Sequence, residues 1–182
     1  MNKAFVKEDD HSIDPEIVLD PAAGIPAGAR NYMTPEGADR LRRELAELLH
    51  ERRPRIIAQI GRTGAEAETA RRQLRQVARR IEFLSGRLAL TEVVNPAAQQ
   101  SAQVRFGATV RVARSDGTET VFRIVGIDEA DAARGLISWT APLAKALLGK
   151  TAGDLVTPLT PSGREALEIL EVSYDAADTG AA

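Results

Sequence analysis

The sequence predicts an α+β fold, in which an N-terminal antiparallel coiled-coil hairpin precedes a C-terminal α+β domain. Three features of the 182-residue chain support this prediction. Residues 31–90 carry apolar residues at helical spacing on both sides of a glycine-containing reversal. From residue 104 onward the chain consists of short strand candidates separated by turn signals. Residues 1–30 mix acids, prolines and glycines without a sustained period, which is typical of a disordered leader.

The first helical arm is predicted to begin at Thr34. Its hydroxyl can cap the helix, Pro35 suits the first helical position, and Glu36 places an acid in the first turn. The apolar face of this arm comprises Leu41, Leu45, Leu48, Ile56 and Ile60. We expect Pro54 to kink or divide the arm, because proline has no backbone N–H to donate.

The second arm has the clearest periodicity in the chain. Its apolar residues are spaced 3, 4, 3 and 4 apart, as in a coiled-coil seam, at Leu74, Val77, Ile81, Leu84 and Leu88. The segment Gly61–Gly64 marks the reversal between the arms, and Asn95-Pro96 ends the second one. Two arms of similar length joined by a glycine turn predict an antiparallel hairpin.

The C-terminal part is predicted to be mainly β. The strand candidates are residues 106–112, 120–125, 136–140, 154–159 and 167–172. Ser115-Asp116-Gly117 predicts a hairpin turn, Pro161–Gly163 a second turn, and Pro142–Leu148 a short helix closed by Gly149. The chain therefore divides into a disordered acidic leader (1–30), a hairpin domain (31–97), a C-terminal domain (98–175) and a disordered tail (176–182).

Composition excludes several kinds of active site. The chain has no cysteine, so a disulfide scaffold, a thiolate metal site and a cysteine nucleophile are excluded. His11 and His50 are the only histidines, too few for a multi-histidine zinc site, and neither has a partner in sequence that suggests catalysis. No apolar run approaches the roughly 18 residues that span a bilayer. We therefore expect a cytoplasmic, monomeric protein with no membrane partner.

The net charge of −2 hides a strong asymmetry along the chain. Residues 1–30 carry a net −3, and residues 91–182 carry a net −4. Residues 31–90 contain 13 basic and 8 acidic side chains, a net +5. A basic hairpin between two acidic regions indicates an acidic partner for the hairpin.

Several blocks of the sequence resemble the bacterial Gre family of transcript-cleavage and elongation factors (GreA/GreB). The matching blocks, in family order, are residues 32–37 (YMTPEG), 104–110 (VRFGATV), 123–126 (RIVG), 128–131 (DEAD), 141–150 (APLAKALLGK) and 160–163 (TPSG). The stretch from Arg71 to Leu84 is more similar to the GreB branch. The resemblance implies a coiled-coil hairpin followed by an FKBP-like domain.

The resemblance also implies a partner and a mechanism. In the family, the globular domain docks at the rim of the RNA polymerase secondary channel, and the hairpin enters the channel. Acids at the hairpin tip help to hold a second Mg²⁺, and the active site of the polymerase hydrolyses the backtracked transcript. This chain is then no enzyme itself and at most activates that hydrolysis. It would bind no cofactor stably and share the Mg²⁺ of the polymerase.

The tip departs from the family pattern, which reads approximately Gly-Asp-x-Ser-Glu-Asn-Ala. Glu68 falls on the Glu of the motif, whereas Ala65 stands at the Asp position and Glu66 is a less direct substitute. The arms are also about eight residues shorter in total, which at ~1.5 Å per residue shortens the reach by about 6 Å. Glu68 is therefore the candidate ligand of a shared Mg²⁺. The alternative is that both acids only favour the helix dipole.

The candidate binding residues form two groups. Candidates for contact with polymerase or nucleic acid are Arg71, Arg72, Arg75, Arg79 and Arg80. Candidates for polymerase docking in the C-terminal domain are Asp128, Glu129, Asp131 and Pro142. Arginine forks suit phosphates of nascent RNA, and the DNA of the elongation complex is left open as a further contact. The structural alternatives are a solvated coiled-coil flank and a solvated acidic loop.

Two functions within the family are left open by the sequence. One is an elongation factor that binds RNA polymerase and stimulates cleavage of backtracked transcripts. The other is a channel-binding regulator without cleavage activity, similar to the nucleoside-diphosphate-kinase regulator, which competes with Gre factors. A peptide-binding or prolyl-isomerase module would need an aromatic pocket, and only 4% of residues are aromatic. A generic nucleic-acid binder would lack stacking aromatics on its basic face.

Overall fold

The structure, a computed structural model, describes residues 20–60, 65–160 and 163–174. Within these residues the fold is α+β, as predicted, with long helices over residues 35–60 and 65–89 and most of the strands over residues 109–160 and 163–173. Three predictions lie outside the described residues: the disorder of residues 1–19, the reversal at Gly61–Gly64 and the tail at 176–182. The turn predicted at Pro161–Gly163 lies outside them except for Gly163.

The first arm is a helix in two parts. Helix α1 (Pro35–Glu47) and helix α2 (Arg53–Ile60) are joined by a π-helical turn at Leu48–Arg52. The N–H of Arg53 donates to the carbonyl of Leu48, five residues back. Because Pro54 cannot donate and its ring crowds the preceding turn, the wider turn accommodates it. The predicted disturbance at Pro54 therefore takes the form of this π-helical turn, and the backbone stays helical through it.

The second arm is the single helix α3 (Ala65–Ala89). It packs on the first arm through the predicted seam, whose members Val77 and Leu84 are buried. Arg80 contacts Glu44, whereas Gln59 shares a cleft with Ala65 at the other end of the arms, so the two arms run antiparallel. The predicted hairpin is visible in part, because its connection lies outside the described residues.

Two strands of three residues close the base of the hairpin. Strand β1 (Asn31–Met33) pairs in parallel with strand β2 (Thr91–Val93). Neither strand is predicted from the sequence, because three residues are too few to show a period. Through this pairing, the beginning of the first arm and the end of the second are held together.

The C-terminal domain is built on a five-stranded sheet, with one short helix packed on it. The elements are β3 (Thr109–Arg114), β4 (Glu119–Val125), β5 (Leu136–Ser138), helix α4 (Pro142–Leu147), β6 (Leu155–Val156) and β9 (Leu167–Ser173), with a separate hairpin of β7 (Leu159–Thr160) and β8 (Gly163–Arg164). The strand order in the sheet is β5-β4-β3-β9-β6, in which only β4 and β5 are parallel. The predicted turn between β3 and β4 is confirmed, and its Gly117 has a φ of +84°. Alternate side chains of β3 and β9 pack against α4 and form the core of this domain.

Residues 20–30 differ from the prediction of a disordered leader. They form consecutive turns that lie against the end of α3. The buried guanidinium of Arg87 donates to the carbonyls of Pro21 and Ala23, at 2.7 and 2.9 Å. Composition did not predict this order, because it depends on a partner 64 or more residues away. Among the described residues, no helix is long and apolar enough to cross a membrane.

Candidate functional site

The two acidic tip candidates lie on different sides of α3. Glu66 and Glu68 are both exposed in its first turn. Residues two apart in a helix point about 200° apart around its axis. Glu66 lines a cleft of about 390 Å³ between the arms, together with Gln59 and Gln73. Glu68 faces away from the first arm and pairs with Arg71 at 3.5 Å.

This geometry limits what the tip can offer to a metal ion. No group of three or more acidic or histidine side chains within residues 20–60, 65–160 and 163–174 could hold a metal ion. The connection at 61–64, which lies outside the described residues, contains no acid in its sequence. The opposed directions of Glu66 and Glu68 prevent them from reaching one ion together. A shared Mg²⁺ would therefore receive one carboxylate, that of Glu68, from this tip.

Three of the five candidate arginines form a basic face on α3. Arg72, Arg75 and Arg79 follow spacing of 3 and 4 and lie on the side of α3 opposite the seam. Arg72 and Arg75 are exposed and Arg79 is half-buried. None of the three makes an ion pair in the part of the chain that the structure describes. Their guanidinium groups are thus available to an external anion.

The other two arginines are occupied within the hairpin. Arg71 pairs with Glu68, and Arg80 binds Glu44 of the first arm through two bonds of 2.7 and 2.9 Å. The hydrogen bonds to Glu44 raise the pKa of Arg80 above its usual value. The guanidinium of Arg80 also lies 5.3 Å from the ring centre of Phe83. Arg80 therefore joins the two arms, and of the five arginines it is the least available to a partner.

Glu129 does not lie on an exposed docking surface. Its side chain is buried between the hairpin and the C-terminal domain, with 6% of the residue exposed. The carboxylate accepts hydrogen bonds from the backbone N–H groups of Thr34, at 3.0 Å, and Gly126, at 2.9 Å. It also accepts one from the hydroxyl of Thr34. Glu129 therefore anchors the start of α1 to the C-terminal domain.

Asp128 belongs to the same junction. Its carboxylate pairs at 2.7 Å with the guanidinium of Arg87, which is 2% exposed. Its carbonyl accepts a bond of 2.6 Å from Arg40 of α1. Asp128 thus links both arms to the C-terminal domain, and its side chain is already occupied.

The two remaining docking candidates are accessible. Asp131 is half-buried, and its carboxylate caps a short 3-10 turn by accepting from the N–H of Ala133 at 3.1 Å. Pro142 is exposed at the first position of α4. Among the described residues, no hydrogen bond or ion pair joins Asp131 or Pro142 to the arginine face.

The residues that hold the two domains together carry little signal in the sequence. Arg87, Gly37 and Arg40 had no distinguishing local pattern, whereas Thr34 was identified only as a helix cap. Tyr32 of β1 also lies between Phe106, at 5.9 Å, and Trp139, at 5.7 Å, measured between ring centres. The helix start that contains Thr34 and Gly37 is recognisable in the sequence, but no local pattern indicates that Glu129 contacts it.

Comparisons with known proteins match both parts of the chain. A family model described as "Transcription elongation factor, N-terminal" matches residues 31–93. A second model, "Transcription elongation factor, GreA/GreB, C-term", matches residues 99–174. Together the two matches begin at β1 and end at the last described residue.

Individual relatives extend this likeness across most of the chain. A GreB elongation factor of Neisseria meningitidis is 41% identical over 154 residues, which is 80% of this chain and 94% of the relative. A GreA elongation factor of Alkalilimnicola ehrlichii is 43% identical over 152 residues, covering 78% and 96%. A solved GreA/GreB structure from Nitrosomonas europaea is 23% identical, covers 80% of this chain and 99% of its own, and has a TM-score of 0.38.

The two elongation factors are each more than 40% identical to this chain over more than 90% of their own length. Both relatives are named as transcription elongation factors, and both family models describe the same group. The chain belongs to the GreA/GreB family of transcription elongation factors.

Proposed function

We propose that this chain binds RNA polymerase at its secondary channel and regulates transcript elongation there. The hairpin, which we take to be a coiled coil, enters the channel, while the FKBP-like C-terminal domain holds the rim through a surface that includes Asp131 and Pro142. The protein acts in the cytoplasm as a monomer. The observation that carries the proposal is the unpaired face of Arg72, Arg75 and Arg79 in a chain of this family.

The arginine face supports contact with the transcript inside the channel. Three guanidinium groups along about two turns of α3 present a row of paired N–H donors at the spacing of successive helical turns. Phosphates of extruded RNA accept such bonds without regard to base sequence. The junction at Glu129 and Asp128 keeps the hairpin fixed relative to the C-terminal domain, so that docking of one part positions the other.

A second candidate function is regulation without cleavage, by occupation of the channel. The separation of Glu66 and Glu68 around α3 favours it, as does the alanine at position 65. An aligned two-metal reaction loses about 10²-fold in rate when its groups are misplaced by ~1 Å. With one carboxylate, already paired with Arg71, the tip is poorly equipped to position an ion and a water.

Backtracked elongation complexes test both candidates in one experiment. The chain is added with Mg²⁺ to stalled complexes, complex formation is followed by native gel shift, and released 3′ RNA fragments are resolved by length. The Glu68→Ala variant reports on the tip. Glu82→Ala is the matched control, because Glu82 is exposed on the same side of α3, 14 residues and about four turns away.

Each outcome assigns a function. Binding with RNA fragments that disappear in Glu68→Ala but persist in Glu82→Ala supports cleavage stimulation. Binding without fragments supports the second candidate. If the wild-type chain forms no complex with the polymerase, both candidates are wrong.

A further inference from the structure

We infer that the arginine face of α3 has an occupant within this chain, the acidic segment of residues 1–19, which covers the face in the free protein. The inference concerns the free protein, so it does not depend on the proposed binding to RNA polymerase. It rests on where the leader joins the hairpin, on the charges of both partners, and on the length of the segment.

The described end of the leader runs along α3 toward the arginine face. Asn31 pairs with Thr91 at the base, and the chain then passes back so that Pro21 lies against Gly86. A side-chain carbon at Gly86 would lie 2.7 Å from the ring of Pro21. Between residues 31 and 21 the leader has therefore advanced by more than one helical turn toward the tip.

The point of contact lies on the same side of α3 as the unpaired arginines. Gly86 follows Arg79 by seven residues, and Arg75 and Arg72 precede Arg79 by four and seven. This spacing keeps all four positions on one side of the helix. At ~1.5 Å per residue, Arg79 is about 10 Å and Arg72 about 21 Å from Gly86 along the axis.

The segment has the charge and the length to cover this distance. Residues 1–19 contain two lysines and five acids, and the acids are Glu8, Asp9, Asp10, Asp14 and Glu16. At up to ~3.3 Å per residue, Asp14 and Glu16 can reach Arg79 and Arg75, and the acids at 8–10 can reach Arg72. Glu82 follows Arg79 by three residues in α3, and it forms no ion pair with the described residues. Tethering keeps the acids at a millimolar effective concentration around the face.

The consequence is that RNA phosphates must displace the leader from Arg72, Arg75 and Arg79. The face then binds nucleic acid weakly in solution. It is exposed fully only where phosphates are concentrated enough to compete. The family match begins at residue 31, so this acidic segment lies outside the part of the chain that the family models describe.

Binding of a short unstructured single-stranded RNA, measured by fluorescence anisotropy at about 50 mM salt, tests the competition. We expect deletion of residues 1–19, or replacement of the five acids by their amides, to tighten binding about fivefold to tenfold. Both effects should vanish when Arg72, Arg75 and Arg79 are all changed to glutamine. No tightening, or equal tightening in the glutamine variant, overturns the inference.

A distance measurement tests the contact itself. Because the chain has no cysteine, Ser12→Cys gives a single site for a nitroxide label. We expect the label to broaden the amide signals of residues 72–79 in the same chain, and the broadening to disappear in the triple glutamine variant. Absence of broadening overturns the inference. Equal broadening in a mixture of nitroxide-labelled chains without isotope and isotope-labelled chains without nitroxide overturns it as well, because the contact would then join two molecules.

Discussion

The carboxylate of Glu129 decides how the two parts of this molecule meet. It is buried, and three donors converge on it, two from Thr34 and one from Gly126. A buried carboxylate is tolerated only when its oxygens are satisfied in this way. The family resemblance makes the same residue a candidate for docking on polymerase, and the alternative interpretation is a solvated acidic loop. Its burial by a partner 95 residues away changes that interpretation.

Replacing Glu129 by alanine should destabilise the whole protein. The change leaves the N–H groups of Thr34 and Gly126 buried without acceptors, and each such loss costs about 1–3 kcal/mol. We expect the free energy of unfolding to fall by about 3 kcal/mol in urea denaturation. Glu82→Ala, at an exposed site, should change it by less than about 0.5 kcal/mol. Equal stability of the two variants would contradict the role assigned to Glu129.

Gly37 provides a second test of the junction, because replacing this glycine by alanine should lower the stability of the protein, whereas the same change in a helix usually raises it. Alanine normally stabilises a helix relative to glycine by about 0.5–1 kcal/mol. Here a side-chain carbon at position 37 would lie 2.2 Å from the Glu129 carboxylate, so Gly37→Ala should destabilise the protein. In a Glu129→Ala background the clash is removed, and the same change should become neutral or stabilising. Thermal unfolding of the four combinations measures this coupling.

At the scale of single residues, the sequence predicts local partners well and distant partners poorly. Thr34 was predicted as a helix cap, and its hydroxyl does accept from the N–H of Gly37 at 3.1 Å. This cap is buried because Thr34 also donates to Glu129, and no spacing rule connects two residues that lie so far apart in the sequence. Arg87 gives the same lesson, because arginines are mostly exposed in proteins, whereas this one is buried against Asp128 and two carbonyls of distant residues.

Helix α3 is the element in which sequence and structure agree best. Its seam predicted both the helix and the face that packs on the first arm, because a 3, 4 repeat fits one geometry. The short strands β1 and β2 were missed, and the strands predicted at 106–112 and 154–159 begin or end elsewhere. Pairing partners, rather than local propensity, fix those boundaries.

The tip of α3 allows a gain-of-function experiment. Ala65→Asp adds a carboxylate three residues before Glu68, one turn away on a neighbouring part of the same side. Two carboxylates could then approach one ion, which the present tip does not allow. We expect release of 3′ RNA fragments from backtracked complexes to increase at least tenfold over the unaltered chain, measured at fixed Mg²⁺.

The matched control for this experiment is Ala78→Asp. Ala78 is exposed on the same helix, three turns or more from the tip. It adds an equal charge to the hairpin but should not increase cleavage. An unchanged rate for Ala65→Asp, with polymerase binding retained, would show that spacing of the tip carboxylates is not what limits cleavage.

At the scale of the whole molecule, the three regions of the chain differ in net charge. The hairpin carries the excess positive charge, whereas the leader and the C-terminal domain are acidic. The contacts of Glu129, Arg87 and Tyr32 join hairpin and domain, so that the position of one fixes the position of the other. The sequence predicted this polarity from counts alone, but the division of the arginines into free and occupied groups required the fold.

The central claim, insertion of the hairpin into the secondary channel, is tested most directly by crosslinking from the tip. Thr69→Cys places a single photoreactive label beside the cleft at the tip, and Ser115→Cys places the same label on the exposed turn between β3 and β4. In backtracked elongation complexes we predict crosslinks from position 69 to the 3′ segment of the RNA, and none from position 115. Crosslinks to RNA from neither position, or equally from both, would contradict the account.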